Sequence, residues 1–132
     1  MDWILGRLAC GNLEDASTLS SMVGITRVLT LSEQHCPPLP SLTYGHFEPI
    51  PDETWLPPDL WERRVESLRI FLWSGTVLVH CRLGISRAPA LCAAYLIRCG
   101  MGTDEARQYV EARRRVAKIH PETWRGVAEW AA

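Results

Sequence analysis

A short apolar run leads straight into a cysteine near the middle of the chain, and an apolar helix pattern follows a few residues later. The run is TVLVH, at residues 76–80, and it lacks the alternation of apolar and polar residues that a half-exposed strand shows. It therefore predicts a central strand in a sheet that is covered on both faces. A mostly parallel sheet with helices on its faces meets this requirement, so the segment favours an α/β fold.

The rest of the chain alternates between strands and helices. Strands are predicted at Trp3–Leu5, Arg7–Cys10, Thr26–Leu31, Thr43–Glu48 and Thr76–His80. Helices are predicted at Asp15–Val23, Leu60–Trp73, Pro89–Cys99, Asp104–Arg115 and Pro121–Ala131. Proline-rich stretches at 32–40 and 49–58 predict loops. The prediction is a single domain over residues 1–132, with a central, mostly parallel sheet of four to five strands flanked by helices.

Composition indicates which binding partners and which cellular compartment to expect for this chain. The 132 residues suffice for one domain, and a formal net charge of −1 supplies no general basic field, so neither nucleic acid nor a membrane is expected as a partner. The sequence has no run of about 20 apolar residues, and its start does not resemble a signal peptide. Its five cysteines show no framework or zinc spacing, which favours reduced thiols in the cytoplasm and no metal. A monomer is the expected state.

Several side chains are predicted to have structural roles. Cys92 and Cys99 fall within a helix pattern and are expected to pack as small apolar side chains. The basic run at 113–115 is expected to complement the C-terminal end of a helix. Trp55 is predicted either as a lid residue or as a packing residue, and the other tryptophans as core. Three histidines are expected at the surface or in helix caps: His35, His46 and His120.

The turn between the central strand and its helix carries the residues of a reaction centre. Ligands of α/β sheets bind at the carboxyl ends of the strands, where this turn, Cys81–Arg87, lies. Its backbone N–H groups and the helix dipole favour an anion, and Gly84 gives the loop conformational freedom. Arg87 can bind two phosphate oxygens through its guanidinium fork. The same positive surroundings favour the thiolate of Cys81, which is a nucleophile for phosphorus.

Transfer of a phosphoryl group to a thiolate also needs an acid that protonates the leaving oxygen. Asp52 is the candidate, because it lies in the loop IPDETW, 29 residues before Cys81. After the transfer, the same carboxylate would activate the water that hydrolyses the phosphocysteine. Three other acids in this segment are rivals for the role: Glu48, Glu53 and Asp59.

The stretch HCRLGISR resembles the HCxxGxxR signature of cysteine-dependent protein tyrosine phosphatases, in particular their compact dual-specificity branch, and the upstream IPD is similar to that family's acid loop. The resemblance implies a phosphatase that acts on phosphorylated proteins or peptides through a phosphocysteine and needs no cofactor or metal. It implies Cys81 as nucleophile, Arg87 as phosphate ligand and Asp52 as general acid. It also implies that His80 supports the thiolate. The implied phosphate cradle is the backbone of Arg82, Leu83, Gly84, Ile85, Ser86 and Arg87.

Two positions depart from the family pattern. The residue after the arginine is usually Ser or Thr, whose hydroxyl helps the thiolate to leave in the second step, and here it is Ala88. Some members carry a late glutamine that positions water, whereas the glutamines of this chain, Gln34 and Gln108, lie in no matching context. Hydrolysis of the phosphocysteine is therefore expected to be slower than in relatives.

Two other functions would also place a cysteine in an anion-binding loop. One is a rhodanese-like thiol enzyme, a sulfurtransferase, whose loop is typically one residue shorter between cysteine and arginine and which has no upstream acid of this kind. The other is a non-catalytic phosphate-recognition module, which the replacement of the hydroxyl by Ala88 would suit. The presence of both Cys81 and Arg87 favours the phosphatase. The short chain predicts a shallow pocket that admits phosphoserine and phosphothreonine as well as phosphotyrosine.

Overall fold

One sheet forms the centre of the computed structural model, which describes residues 1–33, 39–41 and 43–132. Its strands are β1 (Asp2–Leu5), β2 (Leu8–Gly11), β3 (Arg27–Thr30), β4 (Tyr44–Phe47) and β5 (Val77–His80). Their order across the sheet is β1-β2-β5-β3-β4. β1 is antiparallel to its neighbour and the other pairs are parallel. The predicted sheet of four to five mostly parallel strands is thus confirmed.

β5 occupies the centre of the sheet, as its sequence predicts, and all of its residues are buried. It pairs with β2 on one side and with β3 on the other. Its last residue, His80, is level with Gly11 of β2 and with Thr30 of β3. Three parallel strands therefore end together at the edge where the chain turns into Cys81.

Helices cover both faces of this sheet. In the described part of the chain they are α1 (Leu13–Ser17), α2 (Pro58–Ser74), α3 (Arg87–Arg98), α4 (Thr103–Arg113) and α5 (Pro121–Ala131). The four longer helices share the larger apolar core, and α1 packs with the smaller core around Val28 and Leu78. The buried face of α2 has the predicted helical spacing and consists of Trp61, Val65, Leu68 and Leu72. None of the helices that the structure describes is long and apolar enough to span a membrane.

The helix predicted over residues 15–23 is wrong in its extent. Asn12 and Asp15 form a capping box, in which each side chain accepts a hydrogen bond from the other's backbone N–H, so α1 starts earlier. α1 then ends after five residues, and Ser20 caps a separate 3-10 turn. Met22, which falls within the predicted helix, lies in this turn and is 93% exposed.

The prediction that tryptophans form core is wrong for two of them. Trp61 is fully buried, but Trp73 is 82% exposed and Trp3 is 43% exposed. Trp73 directly follows the buried Leu72, so the helix turns it about 100° away from the apolar stripe. Trp3 precedes the buried Ile4 in β1, where successive side chains point to opposite faces.

The cysteines that the structure describes are free thiols. Cys10 and Cys92 are buried, and burial together with the neighbouring Cys92 thiol raises the pKa of the Cys10 thiol. Cys99 is not the packing residue that its pattern predicts, because it follows the end of α3 and is exposed. Three residues considered in the sequence lie outside the described ranges: Gln34, His35 and Cys36.

Candidate active site

Cys81 lies at the carboxyl end of the central strand and opens the turn that leads to α3. It is 2% exposed, and its Sγ accepts a hydrogen bond from the backbone N–H of Ala88 at 3.4 Å. Ala88 is the second residue of α3, so the positive end of the helix dipole is directed at the sulfur. These are surroundings in which a cysteine can act as a nucleophile.

Arg87 begins α3, and its side chain is almost completely buried beside the turn. Its Nη1 donates to the carbonyl of Ile50 at 3.1 Å, and its Nε lies 3.4 Å from Oδ1 of Asp52. The Nε–H is not aligned for a hydrogen bond with that oxygen, so the contact is an ion pair. The guanidinium therefore ties the predicted acid loop to the cysteine turn.

The side chain of Asp52 is 54% exposed and lines the same cleft as Cys81. Its Oδ1 also accepts a hydrogen bond from the backbone N–H of Glu53 at 3.1 Å. Glu53 has a φ of 53°, a left-handed conformation that is uncommon for residues with a Cβ. The backbone next to the predicted acid is thus held in a strained conformation.

Trp55 fixes the acid loop to the last helix. Its Nε1 donates to Oε2 of Glu129 at 2.6 Å, and the guanidinium of Arg125 lies 5.3 Å from the centre of its ring. Both partners belong to α5. Of the two roles predicted for Trp55, the packing role fits this position, because the indole anchors the loop to a helix.

The three rival acids have other surroundings. Glu48 is bound by three side chains, those of His46, Ser67 and Arg64. Burial alone would raise its pKa, but these partners together hold the pKa of Glu48 below its ordinary value, so it remains ionised. Glu53 lines the cleft beside Asp52, and Asp59 lies in the first turn of α2. Of the four acids, Asp52 is the one in contact with Arg87.

Other segments of the chain hold the loop between Cys81 and Arg87 by donating hydrogen bonds to its carbonyl groups. Donors from three other parts of the chain bind them: Leu13 N to Arg82 O at 3.0 Å, Arg114 Nε to Gly84 O at 2.6 Å, and Lys118 N to Ile85 O at 2.6 Å. In a trans peptide the N–H points away from the carbonyl, so the N–H groups that follow these carbonyls are directed away from the outer donors. This arrangement turns backbone donors of the loop towards the cleft.

Gly84 meets two requirements that a larger residue would violate. Its φ is +69°, and an added Cβ would lie 2.5 Å from the carbonyl oxygen of Gly11. Of the six predicted cradle residues, it is the one that lies behind the cleft. The other five line the cleft: Arg82, Leu83, Ile85, Ser86 and Arg87.

Arg114 directly follows the last residue of α4, at the helix end where the sequence predicts it, and its side chain holds Gly84 from behind. It is 4% exposed, and besides the bond to Gly84 it forms an ion pair with Asp2, at 2.7 Å from Nη1 to Oδ2. Arg113, its neighbour, instead stacks on Tyr109. Arg114 therefore links the first strand to the loop between Cys81 and Arg87.

His80 is fully buried behind the cysteine. Its Nδ1 lies 3.3 Å from the carbonyl of Cys81, and its Nε2 lies 2.7 Å from the hydroxyl of Thr30. A carbonyl can only accept, so Nδ1 carries the proton and Nε2 accepts from the Thr30 hydroxyl. Burial lowers the pKa of His80, which keeps the ring neutral. The imidazole thus fixes the peptide of Cys81 to the neighbouring strand.

Ser86 joins the loop between Cys81 and Arg87 to residues 118–120, the segment before α5. Its Oγ accepts a hydrogen bond from the backbone N–H of His120 at 2.9 Å. The His120 ring in turn accepts from the N–H of Glu122 at 3.1 Å and caps α5, which confirms one of its predicted roles. Together with Cys81 and Asp52 these segments enclose a cleft of about 530 Å³.

Comparison with known proteins identifies the family. The sequence profile described as "Dual specificity phosphatase, catalytic domain" matches residues 70–132. Dual specificity protein phosphatase 2 of Homo sapiens is 34% identical over 128 residues, which cover 86% of this chain and 38% of the relative. These matches support membership of the dual-specificity branch of the cysteine-dependent phosphatases. The chain thus spans 38% of the length of that curated relative.

Solved structures of similar proteins share this fold over nearly the whole length of the chain. Human DUSP28 superposes with a TM-score of 0.88 at 24% identity, over 99% of this chain and 95% of that protein. The human tyrosine phosphatase-like serine/threonine/tyrosine-interacting protein superposes with a TM-score of 0.85 at 26% identity, over 98% of this chain and 94% of that protein. The predicted fold and family are therefore confirmed.

Sequence reasoning missed the contacts through which three residues support Cys81 and the loop that follows it, namely Asp2, Thr30 and Arg114. Thr30 carried a usable signal, because it ends a predicted parallel strand, and adjacent parallel strands place their last residues side by side. Asp2 and Arg114 carried none, since they lie 112 residues apart and neither belongs to a motif.

Proposed function

We propose that this dual-specificity phosphatase hydrolyses phosphotyrosine, phosphoserine and phosphothreonine in proteins or peptides through a phosphocysteine intermediate. The observation that carries the proposal is the shared cleft of Cys81, Arg87 and Asp52, which combines a nucleophile, a phosphate ligand and an acid. Backbone donors of residues 82–87 complete the phosphate site. A cleft bordered by short segments suits a shallow site, which accommodates all three phosphorylated side chains.

In the first step the Cys81 sulfur attacks phosphorus, and the bond between phosphorus and the leaving oxygen breaks. Asp52 donates its proton to that oxygen, so the product leaves as a neutral alcohol or phenol. Arg87 and the loop N–H groups bind the three remaining phosphate oxygens and stabilise the charge that develops on them. The short distance between Arg87 and Asp52 places the acid beside the phosphate ligand.

In the second step a water attacks the phosphocysteine and passes its proton to the Asp52 carboxylate. The sulfur–phosphorus bond breaks, its electron pair returns to Cys81, and inorganic phosphate is released. The leaving sulfur is assisted by the N–H of Ala88, at 3.4 Å in the free protein. Because residue 88 supplies no side-chain hydroxyl, this step is the slow one in our proposal.

The proposal also includes a compartment and a state of assembly. We expect the protein to act as a single-domain monomer in the reducing cytoplasm, without nucleic acid, membrane, metal or cofactor. Free thiols at the described cysteines support a reducing compartment, because a disulfide at Cys81 would remove the nucleophile. The net charge of −1 supports the absence of a nucleic-acid partner.

Hydrolysis of para-nitrophenyl phosphate in the presence of EDTA, followed from pH 4 to 8, tests the mechanism. Wild type should be active, and Cys81→Ser should lose activity by a factor of about 10³ or more. Asp52→Asn should lose the limb of the pH profile that requires a protonated acid. A burst of nitrophenol in the first turnover should reveal the slow second step.

The same measurement separates the two other functions. Activity that survives Cys81→Ser would contradict the phosphocysteine. An inactive wild type that still binds phosphate would favour the recognition module, and sulfur transfer from thiosulfate to cyanide would favour the rhodanese-like enzyme. The contact between Arg87 and Asp52 favours the phosphatase, because a module that only binds phosphate has no use for an acid beside its arginine.

A further inference from the structure

The active-site cleft continues into a second, smaller one. The spaces measure about 530 Å³ and about 160 Å³, and both are lined by Asp52, Arg82 and Arg87. Together they form one trough whose middle is the proposed phosphate site, because Arg87 lies where they meet. A polypeptide that presents its phosphorylated residue to Arg87 therefore extends into both ends of this trough.

The two ends of the trough differ in charge. Lys118 and His120 line the larger space, on the segment before α5, whereas Glu33 lines the smaller space. The carboxylates of the larger space, Asp52 and Glu53, belong to the acid loop and not to that segment. The trough thus offers the ammonium group of Lys118 on one side of the phosphate and an acidic residue at its other end.

The backbone of Lys118 is hydrogen-bonded directly to the loop between Cys81 and Arg87. Its backbone N–H donates to the carbonyl of Ile85 at 2.6 Å, so its Cα is fixed beside the cradle, while the residue itself is exposed. Within residues 1–33, 39–41 and 43–132 its ammonium group has no ion-pair partner. It is also the single lysine of a sequence with thirteen arginines. A flexible ammonium at the edge of a phosphate site can reach a carboxylate on a bound peptide.

We propose that Lys118 is a specificity residue, which selects phosphorylated peptides with an acidic side chain next to the phosphorylated residue, on the side that faces the segment before α5. The proposal rests on the proposed phosphatase function and adds the class of substrate. Glu33 strengthens the selection, because it repels a peptide bound with its acidic flank in the opposite end of the trough.

Three phosphotyrosine peptides test the proposal: one with two acidic residues before the phosphotyrosine, one with two after it, and one with neutral flanks. Wild type should prefer one of the acidic peptides over the neutral peptide by about threefold to fivefold in kcat/KM at low ionic strength. The preference should weaken as salt is added. Lys118→Ala should abolish it, Lys118→Glu should reverse it, and Lys118→Arg should retain it.

Arg115→Ala is the matched control, since it removes one positive charge from an exposed residue three positions away that does not line the trough. The control should keep the preference. Equal losses in the Arg115 and Lys118 variants would overturn the proposal, as would a wild type that treats all three peptides alike. Para-nitrophenyl phosphate has no flanking residues, so failure of wild type to hydrolyse it would instead overturn the proposed function.

The single lysine allows a second test without a change of fold. Acetylation of amines with an N-hydroxysuccinimide ester neutralises Lys118 and the N-terminal amine, and it should abolish the peptide preference of wild type. Lys118→Arg, which retains the charge after the same treatment, should keep its preference. An identical loss in both proteins would assign the effect to the N-terminal amine and overturn the proposal.

Discussion

At position 88 a methyl group stands next to the proposed nucleophile. The backbone N–H of Ala88 donates to the sulfur of Cys81, but its side chain offers no second donor. In the first step of the proposed reaction the sulfur gives up its negative charge, whereas in the second step it regains that charge. A missing donor therefore slows the second step more than the first.

The variant Ala88→Ser should accelerate turnover. A hydroxyl at this position adds a hydrogen bond to the leaving sulfur, which corresponds to an increase in kcat of up to about tenfold, while the burst of the first turnover shrinks. Stopped-flow and steady-state assays measure both quantities. Ala90→Ser, also in the buried part of α3, is the control and should leave the burst unchanged. An unchanged kcat and burst in a stably folded Ala88→Ser would contradict the role assigned to position 88.

His80 makes the stability of the fold depend on pH. Burial lowers its pKa, so the folded ring stays neutral below about pH 6.5, where the histidine of the unfolded chain takes up a proton. The unfolded state then binds more protons, and the free energy of unfolding falls as the pH falls. This contribution is complete above about pH 6.5 and is lost progressively on acidification, until the folded ring also protonates.

Urea denaturation at pH 7.5, 6.5 and 5.5 measures this dependence. Wild type should lose up to about 1.4 kcal/mol of unfolding free energy per pH unit below about pH 6.5 through His80. His80→Asn should lack this part of the slope, although it is less stable overall. His46→Asn, which replaces an exposed histidine, should retain it. Identical slopes in wild type and His80→Asn would show that the buried ring does not titrate differently in the two states.

At the scale of whole elements, the end of α4 contacts the loop between Cys81 and Arg87, which is the proposed phosphate site. Arg114 follows the last residue of α4 and joins Gly84 of the loop to Asp2 of β1. Any change at this junction should alter how well the loop binds an oxyanion, because Gly84 is also confined by the carbonyl of Gly11. The contact thus positions the loop without touching the substrate.

Arg114→Met should weaken inhibition by tungstate, a tetrahedral oxyanion, by about tenfold, since it removes a charged hydrogen bond to the loop. Arg114→Lys should restore part of this affinity. Arg113→Met, a matched change one residue earlier, should leave tungstate inhibition as in wild type, because Arg113 stacks on Tyr109. Thermal unfolding controls for folding of each variant. Equal tungstate affinity in wild type and a folded Arg114→Met would refute the positioning role.

The elements also show what the sequence could and could not predict. Local patterns predicted the helix at Leu60–Trp73, because its apolar residues repeat with the helical period. These residues, which are buried in α2, are Trp61, Val65, Leu68 and Leu72. The start of α1 was missed, because the capping box of Asn12 and Asp15 outweighed the apolar pattern that follows. The bond from Arg114 to Gly84 has no period and no motif, so it emerges only when the chain is folded.

At the scale of the whole molecule, the acid loop and the last helix form one unit. Leu56, four residues after Asp52, packs against α5 at Gly126, where an added Cβ would lie 2.8 Å from the Leu56 carbonyl and 2.7 Å from Nε1 of Trp61. Trp55 is bound to the same helix. The position of the proposed acid therefore depends on how closely α5 approaches the loop and α2.

Gly126→Ala should disturb this approach. The added methyl group meets backbone and a buried indole, so the free energy of unfolding should fall by about 1–3 kcal/mol. The activity of the folded protein should fall as well, because the acid loop shifts. Gly102→Ala is the matched control, since its nearest contact lies at 4.0 Å, and it should be as stable as wild type. Denaturant titration and nitrophenyl phosphate assays measure both effects, and an unaffected Gly126→Ala would contradict the coupling.

Some of the residues that support or complete the proposed active site lie outside the region that matches the family profile. Residues 70–132 carry the resemblance to the family profile and contain both Cys81 and Arg87. Leu13, Thr30 and Asp52, which shape and complete the site, all lie before that region. Residues 70–132 taken alone would therefore lack the proposed acid and two contacts that support the loop, and residues earlier in the chain supply them in the folded protein.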